Sequence, residues 1–259
     1  MIQIREPAVA GHFYPADSGE LSATIHQMLD EAAVLHTAAP KALIVPHAGY
    51  IYSGPVAATA YARLRPYRDE YTRVVLLGPS HLVAVPGLAT SGADMFHTPL
   101  GDVPLDRAAI GALDLPVSDA AHRLEHSLEV HLPFLQLVIG TFSLVPIVVG
   151  DADPEAVAKV IDALWGGPET LIVVSSDLSH YLPYDEARTR DRATCQAIEN
   201  FDALHISHAD ACGATPVGGL LIAAQRRGMQ ITTLNLRNSG DTAGGKEQVV
   251  GYGSWMLLD

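Results

Sequence analysis

Four short stretches of this chain are apolar without interruption: ALIVP (42–46), RVVLLGPS (73–80), SLVPIVVG (143–150) and TLIVVSS (170–176). Each is rich in Val, Ile and Leu and closes on Gly, Pro or Ser. A strand with one face in water alternates apolar and polar residues, whereas a strand covered on both faces has no such alternation. Helix-like segments lie between the runs: 54–64 after a possible cap at Ser53, the stretch 127–140, and 153–165, which has Asp153 as cap and Pro154 at the first helical position. Residues 86–105 read as short strands or loop, 184–208 and 215–228 as helical, and 231–238 and 247–258 as two final strands. This order predicts an α/β fold with a mainly parallel central sheet flanked by helices. No repeat, low-complexity tract or linker interrupts it, so residues 1–259 are expected to form one domain.

Charge narrows the function classes. Lys and Arg number 16 against 29 Asp and Glu, a formal charge of −13, with no basic run in the sequence. Phosphate neutralisation on nucleic acid needs a basic footprint, and anionic membrane surfaces need one too, so neither partner is expected. No stretch approaches the ~18 consecutive apolar residues of a membrane span. Arg5 and Glu6 stand where a secretory leader would place its apolar run, and two cysteines are too few for a disulfide framework. A cytoplasmic, reduced setting is the expectation.

Histidine is the unusual component, with 12 in a weakly charged chain. In open α/β sheets, ligands bind outside the carboxyl ends of strands. His47 follows the first run, His81 the second, and Asp177 and His180 the fourth. A single loop histidine is commonly just a hydrogen-bonded side chain. Three imidazoles at three strand ends are how sequence-distant residues assemble a metal or catalytic site.

Two further clusters bear on that site. In LEHSLEVH (124–131), His126 and Glu129 share a helical face, whereas His131 shares a face with Glu129 only in a strand. The spacing is not that of a helix-borne zinc pair. It reads either as a charged helix start capped by Ser127 or as a second contribution to the site, with His126 or His131 as proton carriers. Cys212 sits in a small-residue turn before a helix, where a thiolate is favoured, or else is a small buried thiol. Cys195, inside a helix-like stretch, reads as the latter.

In order along the chain, AVAGHFYP (8–15), VPHAGYIYSGPVAATAY (45–61), LLGPSHLV (76–83), TPLGDVPLD (98–106), EHSLEVHLPF (125–134), VPIVVGD (145–151), VVSSDLSHY (173–181) and CGATPVGGLL (212–221) resemble the Memo-like family. Its bacterial and archaeal members are labelled AmmeMemoRadiSam system protein B. The resemblance covers essentially the whole chain and implies a fold like that of the class III extradiol ring-cleaving (LigB-like) dioxygenases. It implies a metal on His47, His81 and Cys212, with Asp177 and His180 as catalytic groups in the same cleft and His126, Glu129 and His131 contacting substrate. Iron as Fe(II) is the first expectation, copper or zinc the others. The family label also implies AMMECR-type and radical-SAM partner proteins.

Extradiol enzymes hold iron with two histidines and a carboxylate, whereas a thiolate here is softer and oxidisable. The expected function is therefore a metal-binding, dioxygenase-like oxidoreductase rather than a catechol-cleaving enzyme. The alternative is a non-catalytic module that binds a peptide or partner in the same cleft. A hydrolase built on Ser175, Ser176, Asp177 and His180 is disfavoured, because residues so close in one loop rarely form a nucleophile–base pair.

Overall fold

The computed structural model describes residues 2–32 and 38–259. Strands are β1 (Ile4–Arg5), β2 (Ala42–Val45), β3 (Arg73–Pro79), β4 (Leu88–Thr90), β5 (Met95–Thr98), β6 (Gly101–Pro104), β7 (Ser143–Val149), β8 (Thr170–Ser175), β9 (His180–Leu182), β10 (Gln230–Asn238) and β11 (Val249–Leu258). Helices are α1 (Ser18–Glu31), α2 (Tyr50–Tyr61), α3 (Arg107–Gly111), α4 (Asp119–Arg123), α5 (His126–Glu129), α6 (Leu132–Ile139), α7 (Pro154–Leu164), α8 (Tyr184–Glu199) and α9 (Ala214–Gln225). None is long and apolar enough to cross a membrane.

The four apolar runs become β2, β8, β3 and β7, adjacent in that order and parallel to one another. Their residues from 42–45, 74–79, 144–149 and 170–175 are buried, as two-sided coverage requires. Helices α1, α2 and α6 pack together, with α2 on β2 and β11, while α7 packs on α9, which lies on β8 and β3.

The expectation of a mainly parallel sheet needs correction, because the sheet is mixed. β11 pairs antiparallel with β2, β10 with β11, β4 with β7, and β9 with β11. Continuous apolarity marks only the doubly covered centre. The connection from Asn238 to Val249 is too short for a crossover and enforces an antiparallel return.

Helix boundaries also differ from the sequence reading. The helix expected over 54–64 after Ser53 runs over Tyr50–Tyr61, with Gly49 at the cap position and Ser53 inside the helix. The segment expected as one helix over 127–140 is split into α5 and α6 at Val130–His131, since Pro133 opens a new first turn. The cap of α5 is Glu125, whose carboxylate accepts from the Ser127 amide (2.9 Å), not Ser127 itself. The helix expected over 184–208 stops at Glu199, followed by Phe201 with φ 56°.

A small second sheet, β1–β5–β6, carries the amino-terminal strand. It is fastened by Arg5, which is 7% exposed and donates to Glu129 Oε2 (2.5 Å), the His122 carbonyl (3.0 Å) and the Glu125 carbonyl (2.7 Å). Glu129 is 0% exposed and also accepts from the Ala8 and Val9 amides and the Tyr14 hydroxyl. Removing one member of a buried charge pair leaves the other uncompensated. Arg5→Met is expected to lower the unfolding free energy by about 3 kcal/mol or more, read by equilibrium urea denaturation. A loss below about 1 kcal/mol would show that the pair does not fasten the segment.

Candidate metal centre

The strand order decides what meets at the carboxyl edge. Because β8 lies between β2 and β3, the residues that end β8 sit between the loop carrying His47 and the loop carrying His81. The His47 and His81 ring centroids are 5.1 Å apart, His47 and His126 5.4 Å, and His81 and His126 4.6 Å with nearly parallel planes. One ring nitrogen from each of His47, His81 and His126 lies within 4.8 Å of the others, close enough to hold one metal ion. His126 thus joins the cluster at the start of α5. Cys212 brings its Sγ to 3.3 Å from His47 Nε2.

Two glycines permit this closeness. A Cβ on Gly213 would lie 2.6 Å from the Ser175 carbonyl oxygen, so only glycine lets the Cys212 turn pack against the end of β8. At Gly78 a Cβ would meet Ser127 Oγ at 2.8 Å and Leu128 Cδ2 at 2.9 Å, which would push α5 and His126 away from β3.

Ser175 sets the imidazole tautomers. It is fully buried, its hydroxyl donates to the Ser127 carbonyl (2.6 Å), and its oxygen lies 2.6 Å from His47 Nδ1 and 2.8 Å from His131 Nε2. A hydroxyl has one proton, and it is given to the carbonyl. Both imidazoles must then donate to Ser175 Oγ, so His47 carries its proton on Nδ1 and keeps the Nε2 lone pair free toward the cluster. His131 carries its proton on Nε2 and accepts at Nδ1 from the Tyr61 hydroxyl (2.9 Å). His131 therefore sits behind Ser175 rather than in the cluster.

Glu125 does for His81 what Ser175 does for His47. It accepts from the His81 backbone amide (2.6 Å) and from Nδ1 (2.8 Å), leaving the His81 Nε2 lone pair outward. Burial alone would raise the Glu125 pKa, but the hydrogen bonds from the His81 ring and amide and from the Ser127 amide hold it down at about 2. His126 Nδ1 lies 3.4 Å from the same carboxylate. Burial first, then the nearby His81 and His126, keep the His47 imidazole far below its ordinary pKa, hence neutral and able to ligate.

Asp177 is 4% exposed; its Oδ1 accepts from the His47 amide (2.7 Å), and its Oδ2 stands 4.0 Å from His47 Nε2. Burial pushes its pKa up to about 7 against the amide bonds from His47 and Ala48. Its contacts run to the His47 loop, while His180 lies exposed at the start of β9. Burial and then the Asp177 carboxylate push the Cys212 thiol up to about 12, so it keeps its proton near neutrality. A cavity of about 350 Å³ opens beside His81 and Cys212, walled by Pro79, Val83, Val85 and Val149 with Asp151 and His208.

Of the residues expected to contact substrate, Glu129 is committed to Arg5 and the amino-terminal segment. Ser175 and Glu125 were not among the expected site residues; one lay in the SS pair ending its strand, the other beside His126, but only the strand order reveals their roles. The hydroxyls of Ser175 and Ser176 donate to the Ser127 and Asp177 carbonyls, which leaves neither as a nucleophile.

A family model described as Memo-like protein matches residues 5–256. Among similar proteins, a MEMO1 family protein of Aquifex aeolicus is 39% identical over 99% of this chain and 100% of its own length. Those of Methanococcoides burtonii and Sulfolobus acidocaldarius are 37% and 34% identical, each over 96% of this chain and over 98% and 97% of their own lengths. The chain belongs to the Memo-like family.

The tautomers are directly observable. At pH 7, long-range ¹H–¹⁵N spectra are expected to place the proton of His47 on Nδ1 and that of His131 on Nε2. The Ser175→Ala variant is expected to lose this assignment and roughly 1–3 kcal/mol of stability, since two buried imidazoles and a carbonyl lose their partner. A His47 proton on Nε2 in the native protein would refute the scheme.

Proposed function

We propose that this chain is a metal-binding oxidoreductase of dioxygenase-like architecture, with its centre on His47, His81 and Cys212 and with His126 as the adjoining imidazole. The observation that supports it most is the convergence of three imidazoles with a thiol whose sulfur is 3.3 Å from His47 Nε2. The donor set is mixed nitrogen and sulfur, which suits iron or copper and also accommodates zinc. Such an ion, when bound, supplies a redox couple and open positions for small ligands. Iron is the reading we favour.

The chain's own groups have distinct tasks in this reading. Ser175 and Glu125 hold the His47 and His81 rings with lone pairs presented. Asp177 fixes the His47 loop through two backbone amides, and His180, at the exposed rim, is the group placed to exchange protons with solvent and with a substrate. The cavity beside His81 and Cys212 admits a small molecule whose apolar body meets the Pro79–Val85 and Val149 wall.

Untagged protein purified without chelators is expected to carry close to one equivalent of iron or copper by elemental analysis. His81→Ala and Cys212→Ser are expected to lose most of it while remaining folded by circular dichroism. Absence of any stoichiometric metal from the wild type would overturn the proposal, and zinc at full occupancy would remove its redox part.

A further inference from the structure

β9 is strained where it meets β11. Leu182 pairs with Val249 and His180 with Val250, so three residues of β9 oppose two of β11, and Tyr181 is the extra residue of a β-bulge. Tyr181 has φ 58°, a left-handed backbone that glycine adopts freely and a bulky residue does not. Packing does not offset that cost: the residue is 69% exposed, and among the described residues its one ring contact is His180, with centroids 5.8 Å apart and planes edge to face. Non-glycine residues persist in such a conformation where the surroundings over-determine it, and they gather at ligand sites.

A second tyrosine stands behind the bulge. The Leu178 amide donates to the Gly251 carbonyl and the Gly251 amide to the Ser179 carbonyl, each at 2.8 Å, which seats the next residue, Tyr252, against the turn that carries Asp177. Ser254 Oγ lies 2.8 Å from Thr59 Oγ1 of α2, and alternation along β11 turns Tyr252 to the same face, toward α2. Tyr252 is 2% exposed. Yet among the described residues nothing bonds to its hydroxyl, and that oxygen is not one of the unpartnered polar atoms sealed from the surface. Burial first, then the Asp177 carboxylate and the Tyr52 and Tyr181 hydroxyls, push its pKa up, so the phenol keeps its proton. Tyr252 is thus a hydrogen-bond donor that reaches the cleft beside Asp177 with nothing in the protein to receive its proton.

We propose that Tyr252 and Tyr181 are the ligand-binding pair of this cleft: the Tyr252 hydroxyl donates to a neutral oxygen of the ligand, a carbonyl or a hydroxyl, and the Tyr181 ring, held out by the bulge, covers the ligand's apolar body. The Asp177 carboxylate beside Tyr252 repels an anionic oxygen, which is why a neutral one is selected. The bulge strain is retained because it places an aromatic ring at the mouth, where a flat strand would turn it away. This inference takes its cleft from the proposed function and does not require the metal.

The full-length protein labelled with [ζ-¹³C]tyrosine tests this by titration with cyclohexanone, cyclohexanol and cyclohexanecarboxylate, the Tyr181 and Tyr252 signals being assigned by their loss in Tyr181→Gly and Tyr252→Phe. The ketone, the alcohol or both are expected to shift the two signals saturably and to bind more tightly than the carboxylate; whichever binds assigns the ligand oxygen. Tyr252→Phe is expected to weaken that binding about fivefold, the value of one hydrogen bond, as read from Tyr181. Tyr181→Gly is expected to weaken it about threefold or more while its urea midpoint stays at or above that of the wild type, since glycine relieves the backbone. Metal content measured on the same samples separates the two readings: a wild type without metal removes the proposed centre, whereas stability and probe binding decide this pair. No saturable shift at Tyr252, undiminished binding in folded Tyr252→Phe, tighter binding of the carboxylate, or a lowered urea midpoint in Tyr181→Gly would overturn the inference.

Discussion

One hydroxyl proton governs the arrangement at the strand ends. Ser175 gives its proton to the Ser127 carbonyl, so its oxygen can only accept from the two imidazoles beside it. That constraint fixes the His47 tautomer, directs Nε2 toward His81, His126 and Cys212, and orients His131 toward Tyr61. It depends in turn on the sheet, because Ser175 reaches both histidines only with β8 lying between β2 and β3. It depends also on Gly213, whose missing side chain lets the Cys212 turn close against β8.

Three buried carboxylates around this centre are divided by their partners. Glu125 is held ionised by His81 and orients that ring. Glu129 is satisfied by Arg5, Tyr14 and two amides, and fastens the amino-terminal strand beneath α4 and α5. Asp177 spends one oxygen on the His47 loop and holds the other near the cluster. Similar burial therefore produces an orienting group, an anchor and a loop clamp, because hydrogen-bond donors differ around each.

The doubly buried strands were legible because uninterrupted Val, Ile and Leu admit few other environments, and the histidine-bearing loops followed from the strand ends. His47 and His81 could be picked out on that ground alone. The antiparallel margins were not, since β4 and β9 are short and carry no distinctive period. The place of His126 in the cluster, and the orienting roles of Ser175 and Glu125, depend on the order of strands in the sheet and on where α5 begins. Neither quantity is encoded in local spacing. Glu129 shows the reverse case: its motif pointed to the cleft, but Arg5, 124 positions away in the chain, claims its carboxylate.

The central claim is that the imidazoles and the thiol at these strand ends share one metal ion. X-ray absorption at the edge of the resident metal tests it most directly. The account predicts a first shell of imidazole nitrogens with one sulfur at about 2.3 Å, and loss of that sulfur in Cys212→Ser. A shell of nitrogen and oxygen alone in the native protein, unchanged by the cysteine substitution, would contradict it.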